Sequence, residues 1–242
     1  MKKTILIVVI TLTIACKEAP KKKSSQIEPT PKKEWVALFD GKSFDGWHQF
    51  NKSEMSTAWF IEDGTMIFDP KKRTEKGVSN DIVTNEEYTN FELSLEWKIS
   101  EKGNSGIFWG VKEGEEYNKP YTTGPEIQVL DNERHPDAFA NPKFHQAGAL
   151  YDLVQPAKDV CKPAGEWNHV ILKINHNTNQ GSVKLNKIEI VTFPLAGDKW
   201  DELIANSKFA DWDHFGKFKT GKIGLQDHGD KVFYRNIKIR EL

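Results

Sequence analysis

The sequence has little cysteine, no excess of charge of either sign, and no apolar run long enough to cross a bilayer as a helix. Two cysteines, Cys16 and Cys161, among 242 residues exclude a fold held together by several disulfides. Lysine and arginine (34) nearly balance aspartate and glutamate (35), so the chain lacks the basic excess typical of proteins that bind phosphate backbones, and we expect no nucleic-acid partner. The apolar run Thr4–Ile14 is shorter than the roughly 20 residues that a transmembrane helix needs.

The first sixteen residues have the organisation of an export signal. Lys2 and Lys3 precede the apolar run, and Ala15-Cys16 follows it, as in a bacterial lipobox. The match is imperfect, because Thr13 stands where leucine is preferred. We predict that residues 1–16 are a lipoprotein signal peptide and that Cys16 is lipidated; a signal peptide cut elsewhere, with Cys16 discarded, is the alternative. Lipidation would tether the protein in the cell envelope to a bacterial membrane, the outer membrane being favoured, on its periplasmic or surface side.

The rest of the chain divides into a tether and a domain. Residues 17–34 are rich in Lys, Pro, Ser and Glu and almost without apolar side chains, which predicts a disordered linker. Residues 35–242 are about the size of one large β-domain. Lipidation of Cys16 leaves Cys161 without a partner, and no local motif marks it as catalytic, so we interpret it as a free thiol.

Alternation of apolar and polar residues, the signal of a strand, recurs throughout this domain. It predicts strands over Phe91–Ile99, Ser105–Val111, Glu126–Leu130, Asn168–Ile174, Gly181–Leu185, Lys222–Gln226 and Val232–Ile239. Turn sequences such as Asp63-Gly64 separate these strands. We therefore predict an all-β sandwich of two antiparallel sheets, with room for one short surface helix between Asp198 and Phe209.

The strand that begins at Glu126 carries several polar side chains. Glu126 and Gln128 point to one face of a regular strand, and a bulge would bring Asp131 to the same face. This spacing resembles the E-x-D-x-x-E strand of laminarinase-like jelly-roll glycoside hydrolases, with Gln and Asp at the second and third positions. The difference weakens the case for a retaining mechanism, which needs a nucleophile and an acid held about 5 Å apart. A strand with solvent-facing polar residues is the alternative interpretation.

Several short motifs follow one another in a characteristic order. They are Leu38-Phe39-Asp40-Gly41, Asn104-Ser105-Gly106-Ile107, Gly148-Ala149-Leu150-Tyr151-Asp152, Gly165-Glu166-Trp167-Asn168, Gly224-Leu225-Gln226-Asp227-His228-Gly229 and Phe233-Tyr234-Arg235-Asn236-Ile237. In this order, and over nearly the whole of residues 35–242, they resemble the 3-keto-disaccharide hydrolase domain family. The resemblance implies a concanavalin-A-like jelly-roll β-sandwich with a polar groove on its concave face, and 3-keto sugars as substrates.

The resemblance also implies a set of site residues. The groove candidates are Glu96, Asn104, Glu126, Gln128, Asp131, Tyr151, Gln226, His228 and Arg235. Glu96, Glu126 and His228 are the catalytic candidates and the others bind substrate. Each has a structural alternative: His228 could be an exposed turn residue, and Arg235 could pair with a carboxylate across the sheet. The eight tryptophans are expected in the core, with Trp109 the candidate for stacking against a sugar.

A ketone at C3 of a sugar acidifies the proton on C2, so the glycosidic bond at C1 can break by elimination and water can add afterwards. Our hypothesis is that Glu126 or Glu96 takes the C2 proton, that His228 or Gln128 stabilises the enolate oxygen, and that an acid protonates the leaving group.

Three alternatives stay open beside this hypothesis. No cofactor is predicted, but a divalent metal ion held by Glu126, Asp131 and His228 could do the polarising. A carbohydrate-binding, non-catalytic lectin-like lipoprotein is the second class of function, because one fold hosts many functions. An adhesion or structural lipoprotein is the third.

Overall fold

Strands are the main regular secondary structure in the computed structural model, which describes residues 33–74, 78–141 and 143–242. Their bounds are β1 Val36–Ala37, β2 Trp47–Gln49, β3 Trp59–Glu62, β4 Thr65–Phe68, β5 Ile82–Thr84, β6 Phe91–Ile99, β7 Asn104–Val111, β8 Glu126–Leu130, β9 Asn168–Asn175, β10 Gln180–Leu185, β11 Ile188–Phe193, β12 Lys222–Leu225 and β13 Val232–Glu241. The two α-helices are α1 Asp137–Ala140 and α2 Asp198–Ala205, and two 3₁₀ turns span Pro70–Lys72 and Pro120–Thr122.

These strands form two antiparallel sheets. The larger sheet has the order β11-β10-β9-β6-β13-β4-β3, with β1 also paired to β13, and the smaller has the order β2-β5-β12-β7-β8. Every strand pairing in both sheets is antiparallel. The smaller sheet therefore places β12, β7 and β8 side by side, which brings residues distant in sequence onto one surface.

Apolar side chains from the facing surfaces of the sheets form the core. On β6 Leu93, Leu95 and Trp97 are buried, while Glu96 between them points to the other face. A polar contact joins the sheets within the core, where the hydroxyl groups of Ser105 on β7 and Tyr234 on β13 lie 2.8 Å apart. Because Ser105 points inward, its neighbours Asn104 and Gly106 face outward, away from the larger sheet.

The strand predictions agree with this architecture. Each of the seven predicted strands overlaps a strand of the structure, and the predicted helix corresponds to α2. Amphipathic alternation is strong here because one face of each sheet is buried against the other sheet. Cys161 forms no disulfide with a described residue, and burial raises the pKa of its thiol to about 12, which opposes formation of a reactive thiolate.

The predicted signal peptide, the lipidation site Cys16 and nearly all of the predicted linker lie outside the described residues. Among residues 33–74, 78–141 and 143–242, neither helix has the length and apolar character needed to cross a membrane.

Candidate active site

A cleft of roughly 310 Å³ lies on the outward face of the smaller sheet. We call it the Glu126 cleft. Its floor comes from two neighbouring strands and the loop after β12: Asn104 from β7, Glu126 and Gln128 from β8, and Gln226 and His228 from the loop. Tyr151 and Lys208 line one side, and the side chains of Tyr121, Phe209, Trp212 and Phe215 form a wall. The sequence motifs quoted above therefore converge on this surface.

Glu126 lies across β7 rather than standing upright from β8. A Cβ atom at Gly106 would overlap the Glu126 carboxylate, so the absence of a side chain at Gly106 leaves the space that the carboxylate occupies. The carboxylate reaches the start of the loop after β12, where the Gln226 amide donates to Glu126 Oε2 at 3.4 Å. On the outer side of β8 the Tyr151 backbone N–H donates to the Glu126 carbonyl at 2.9 Å.

Burial dominates the electrostatics of Glu126. Its side chain is largely buried, which disfavours the charged form and raises the pKa of the carboxyl to about 8. Asp81 and Asp137 add to the rise by repulsion, whereas Lys208 and the Gln226 hydrogen bond oppose it. A carboxyl group with this pKa exchanges protons near neutral pH, as acid–base catalysis requires.

Two amide oxygens in the cleft are unpaired. Asn104 Oδ1 and Gln226 Oε1 are buried and accept no hydrogen bond from any residue that the structure describes. Their residues are only 3% and 6% exposed, respectively. A buried acceptor without a partner is unfavourable, so both oxygens are suited to accept hydrogen bonds from a bound ligand such as a polyol.

His228 is exposed at the mouth of the cleft on the loop after β12. Partial desolvation lowers the pKa of its imidazole, which favours the neutral form. Carboxylates hold the loop: Asp227 accepts from the backbone N–H groups of Asn80 and Gly229, both at 3.0 Å. Its own N–H donates to buried Asp81 at 2.8 Å. A neutral imidazole can donate one hydrogen bond and accept another.

Tyr151 belongs to a hydrogen-bond network that extends from the cleft to residues behind it. Its hydroxyl donates to Asp137 at 3.2 Å, and its ring stacks on His145 with centroids 4.3 Å apart. His145 bridges Asp137 and Asp152 at 2.8 and 2.9 Å. Burial and the carboxylates of Asp137 and Glu126 raise the pKa of Tyr151, so the hydroxyl stays protonated.

Sequence reasoning missed Lys208 and the aromatic wall. The segment around Phe209 looked like a surface excursion, but the Gly216 N–H donates to the Thr123 carbonyl at 2.8 Å and brings this loop beside β8. The Lys208 ammonium lies 4.1 Å from the Tyr151 ring centroid. The spacing Phe209-x-x-Trp212-x-x-Phe215 is a local signal that could have drawn attention to this loop.

The structure does not bring Glu96 and Arg235 into the Glu126 cleft, which corrects their place in the expected groove. Both face outward from the larger sheet, on the opposite side of the sandwich, and Arg235 Nε donates to Glu96 Oε2 at 2.6 Å. They line a separate cavity with Trp167 and His169. The cross-strand ion pair is the structural alternative that the sequence left open for Arg235.

Trp109 and Asp131 are also placed differently from the expectation. Trp109 is buried in the core against Phe193, with centroids 5.6 Å apart, so its ring offers no face to a sugar. Asp131 is buried because β8 has no bulge: the register from Phe108 opposite Glu126 to Asn104 opposite Leu130 is regular. Its carboxylate instead accepts from the Lys102 N–H at 2.8 Å and the Glu133 N–H at 3.1 Å.

These positions also bear on the metal alternative. Within the described part of the chain, no group of three or more His, Cys, Asp or Glu side chains is arranged to hold a metal ion. Asp131 does not line the Glu126 cleft, so the expected ligand set of Glu126, Asp131 and His228 is not assembled.

Comparison with known proteins supports both fold and family. A protein from Bacillus subtilis with a galectin-like fold, 12% identical, matches with a TM-score of 0.53 and covers 86% of this chain and 94% of its own. This likeness confirms the all-β jelly-roll sandwich. A protein from Parabacteroides distasonis, provisionally described as a glycosyl hydrolase, is 32% identical with a TM-score of 0.78 and covers 86% of this chain and 94% of its own.

A 3-keto-disaccharide hydrolase from Bacteroides thetaiotaomicron is 34% identical over 229 residues, which is 86% of this chain and 78% of that protein. The family model described as a 3-keto-alpha-glucoside-1,2-lyase-like domain matches residues 34–240. The chain therefore belongs to the 3-keto-alpha-glucoside-1,2-lyase-like domain family.

Proposed function

We propose that this protein hydrolyses the glycosidic bond of 3-keto-disaccharides or 3-keto-glycosides, with Glu126 as the base. One observation carries the proposal: a buried carboxyl with its pKa raised to about 8 lies among neutral amides, two of which have unpaired oxygens. A relative named as a 3-keto-disaccharide hydrolase supports the hydrolase class. A binding protein has no need of a carboxylate whose charge is penalised by its surroundings.

The reaction uses the ketone as the activating group. Glu126 takes the proton from C2, and the electron pair moves into the C3 carbonyl to give an enolate. His228 or Gln128 donates a hydrogen bond to the enolate oxygen, which lowers the barrier. The enolate then expels the C1 oxygen, which takes a proton from solvent to become the released alcohol, and a C1=C2 double bond conjugated with the ketone remains. Water adds at C1, C2 regains a proton, and the products are the 3-keto sugar and the released alcohol.

Turnover in heavy water tests this proposal. We expect the protein to cleave 3-keto forms of several glucosides and not the ordinary glucosides, and to place deuterium at C2 faster than the reaction without protein. The Glu126→Gln variant should lose activity by about 10²–10⁴-fold, the usual contribution of a positioned base. Proton NMR follows both the cleavage and the exchange.

Glu96→Gln is the matched control, because it removes a carboxylate from the opposite face of the sandwich. It should retain activity, and loss of activity in this variant would return Glu96 to the mechanism. Equal cleavage of ordinary glucosides, or products without exchange at C2, would contradict the elimination chemistry. Saturable glycan binding without turnover would move the protein to the lectin class.

A lipid on Cys16 is a second part of the proposal, supported by the sequence Lys2-Lys3, the apolar run and Ala15-Cys16. Cys16→Ser should move the protein from the membrane fraction to the soluble fraction of its bacterial host. Mass spectrometry of the N-terminal peptide should find acyl chains in the wild type only. An unmodified Cys16 would remove the anchor from the proposal.

A further inference from the structure

The Glu126 cleft has two ends of different chemistry, and the strand register places Glu126 between them. Phe108 is opposite Glu126 on the neighbouring strand, Gly106 is opposite Gln128, and Asn104 is opposite Leu130. Moving along β8 from Glu126 toward Leu130 therefore leads to the end that contains Asn104, Gln128, Gln226 and His228, which we call the amide end. Moving the other way leads through Gly124 to the end with Tyr121, Phe209, Trp212 and Phe215, which we call the aromatic end.

The amide end suits the keto sugar. Asn104 Oδ1 and Gln226 Oε1 need hydrogen-bond donors, and the hydroxyl groups of a sugar ring supply them. Donors for a ketone or enolate oxygen come from the Gln128 amide and the neutral His228 imidazole. These groups therefore favour this end for the sugar that loses the C2 proton, and C1 would then face the aromatic end.

The aromatic end presents two half-buried rings on a buried aromatic base. Tyr121 and Trp212 have centroids 5.9 Å apart, and Trp212 packs edge-to-face on buried Phe209 at 5.1 Å. Phe209 stacks in turn on buried Phe215 at 3.9 Å. The base fixes the orientation of the Trp212 ring, so the two exposed faces form a rigid apolar wall.

Polar partners are scarce at this end. Among the described lining residues there, the polar side-chain groups are the Tyr121 hydroxyl, the Trp212 indole N–H and the Lys208 ammonium. A sugar as leaving group would bury several hydroxyl groups against the wall, and each hydroxyl left unpaired carries a desolvation cost. A flat aromatic ring has no such cost and gains stacking contacts.

We infer that the leaving group is an aromatic alcohol, so that the preferred substrates are 3-keto-glycosides of phenols. This inference rests on the proposed function and narrows it. Glu126 takes the C2 proton, the bond between C1 and the phenolic oxygen breaks, and the oxygen keeps the electron pair as a phenoxide, which takes a proton from water. A phenol has a pKa of about 10, so its departure needs no strong acid, and the aromatic end offers none from a described carboxyl group.

The test compares three substrates that share one 3-keto-glucosyl group: a phenyl glycoside, a methyl glycoside and a disaccharide. The ratio of kcat/KM for the phenyl and methyl substrates is measured for the wild type and for Trp212→Leu, so that the intrinsic reactivity of the leaving groups cancels. We expect the ratio to fall at least tenfold in Trp212→Leu, mainly through KM. Tyr121→Leu should act in the same direction, and Trp212→Phe should restore most of the ratio.

Trp167→Leu is the matched control, since Trp167 lines the cavity on the opposite face of the sandwich, and it should leave the ratio unchanged. Turnover of the methyl substrate shows that each variant is folded. An unchanged ratio with intact turnover would overturn the aromatic subsite and leave the proposed function standing. An equal loss for the disaccharide would identify the wall as a sugar platform and also overturn the inference. No turnover of any keto substrate by the wild type would reject both.

Discussion

At the scale of single residues, Gly106 determines where the Glu126 carboxylate lies. The carboxylate occupies the space that a side chain at position 106 would fill. We expect Gly106→Ala to push the carboxylate away from Gln226 and to lower kcat/KM by about 100-fold, the order of loss that follows a small misplacement of a catalytic group. Steady-state kinetics on a 3-keto-glucoside measure the loss.

A double variant shows whether this effect passes through the carboxylate. In the Glu126→Gln background, Gly106→Ala should cause little further loss, because the base has already been removed. Gly181→Ala is the matched control: a Cβ there would overlap the Phe193 ring, and neither residue lines the Glu126 cleft. It should lower stability and leave kcat/KM unchanged. Independent, multiplicative losses in the double variant would contradict the role given to Gly106.

Asp131 illustrates why single site residues are harder to predict than strands. The sequence offered two geometries, a regular strand with Asp131 on the far face and a bulged strand with Asp131 beside Glu126. The choice depends on the pairing of β8 with β7, which is regular, and on the N–H groups of the loop at Lys102 that Asp131 satisfies. Both β7 and Lys102 are distant from Asp131 in the sequence, so the residues around Asp131 do not determine its geometry.

At the scale of elements, the loop after β12 depends on a buried carboxylate. Asp227 pairs with Arg73 and accepts from the Asn80 amide at 2.9 Å, and its side chain is 1% exposed. We expect Asp227→Asn to destabilise the fold by about 3 kcal/mol, because it leaves a half-buried guanidinium without its counter-charge. Urea unfolding measures the loss. Hydrogen exchange should show faster opening of the loop that carries Gln226 and His228.

Asp201→Asn is the comparison for that experiment. Asp201 pairs with Lys217 at 3.6 Å, and both side chains are more than half exposed. This variant should change stability by less than about 1 kcal/mol, as surface ion pairs usually do. Equal effects of the two substitutions would show that Asp227 does not fix the loop.

The secondary-structure elements differ in how well the sequence predicts them. Strands such as β6 were predictable because burial of one face imposes a period of two on the residues. The aromatic wall was not, because its approach to β8 depends on contacts between residues distant in sequence, such as Gly216 with Thr123 and Trp212 with Tyr121. Glu96 was misplaced for a related reason: alternation shows that it faces away from the core, but not which of the two outer surfaces carries the cleft.

At the scale of the whole molecule, the buried carboxyl groups couple stability to pH. Burial raises the pKa of Glu126 to about 8 and that of Asp81 to about 6. In the unfolded chain Glu126 ionises near the ordinary glutamate pKa of 4.5, so between about pH 4.5 and 8 the folded state binds the proton more tightly than the unfolded state. The contribution of Glu126 to stability is therefore fully present below about pH 4.5 and is lost as the pH rises through this window.

Glu126→Gln isolates this contribution, because every other titrating group is common to both proteins. We expect the variant to gain roughly 3 to 4 kcal/mol of stability relative to the wild type as the pH rises from about 5 to 8, since each pKa unit corresponds to about 1.4 kcal/mol. Thermal and urea unfolding at several pH values measure it. A difference between wild type and Glu126→Gln that does not change with pH would mean that the carboxyl ionises freely in the cleft. The pKa of Glu126 would then not be raised, and its proposed role as the base that takes the C2 proton would lose this support.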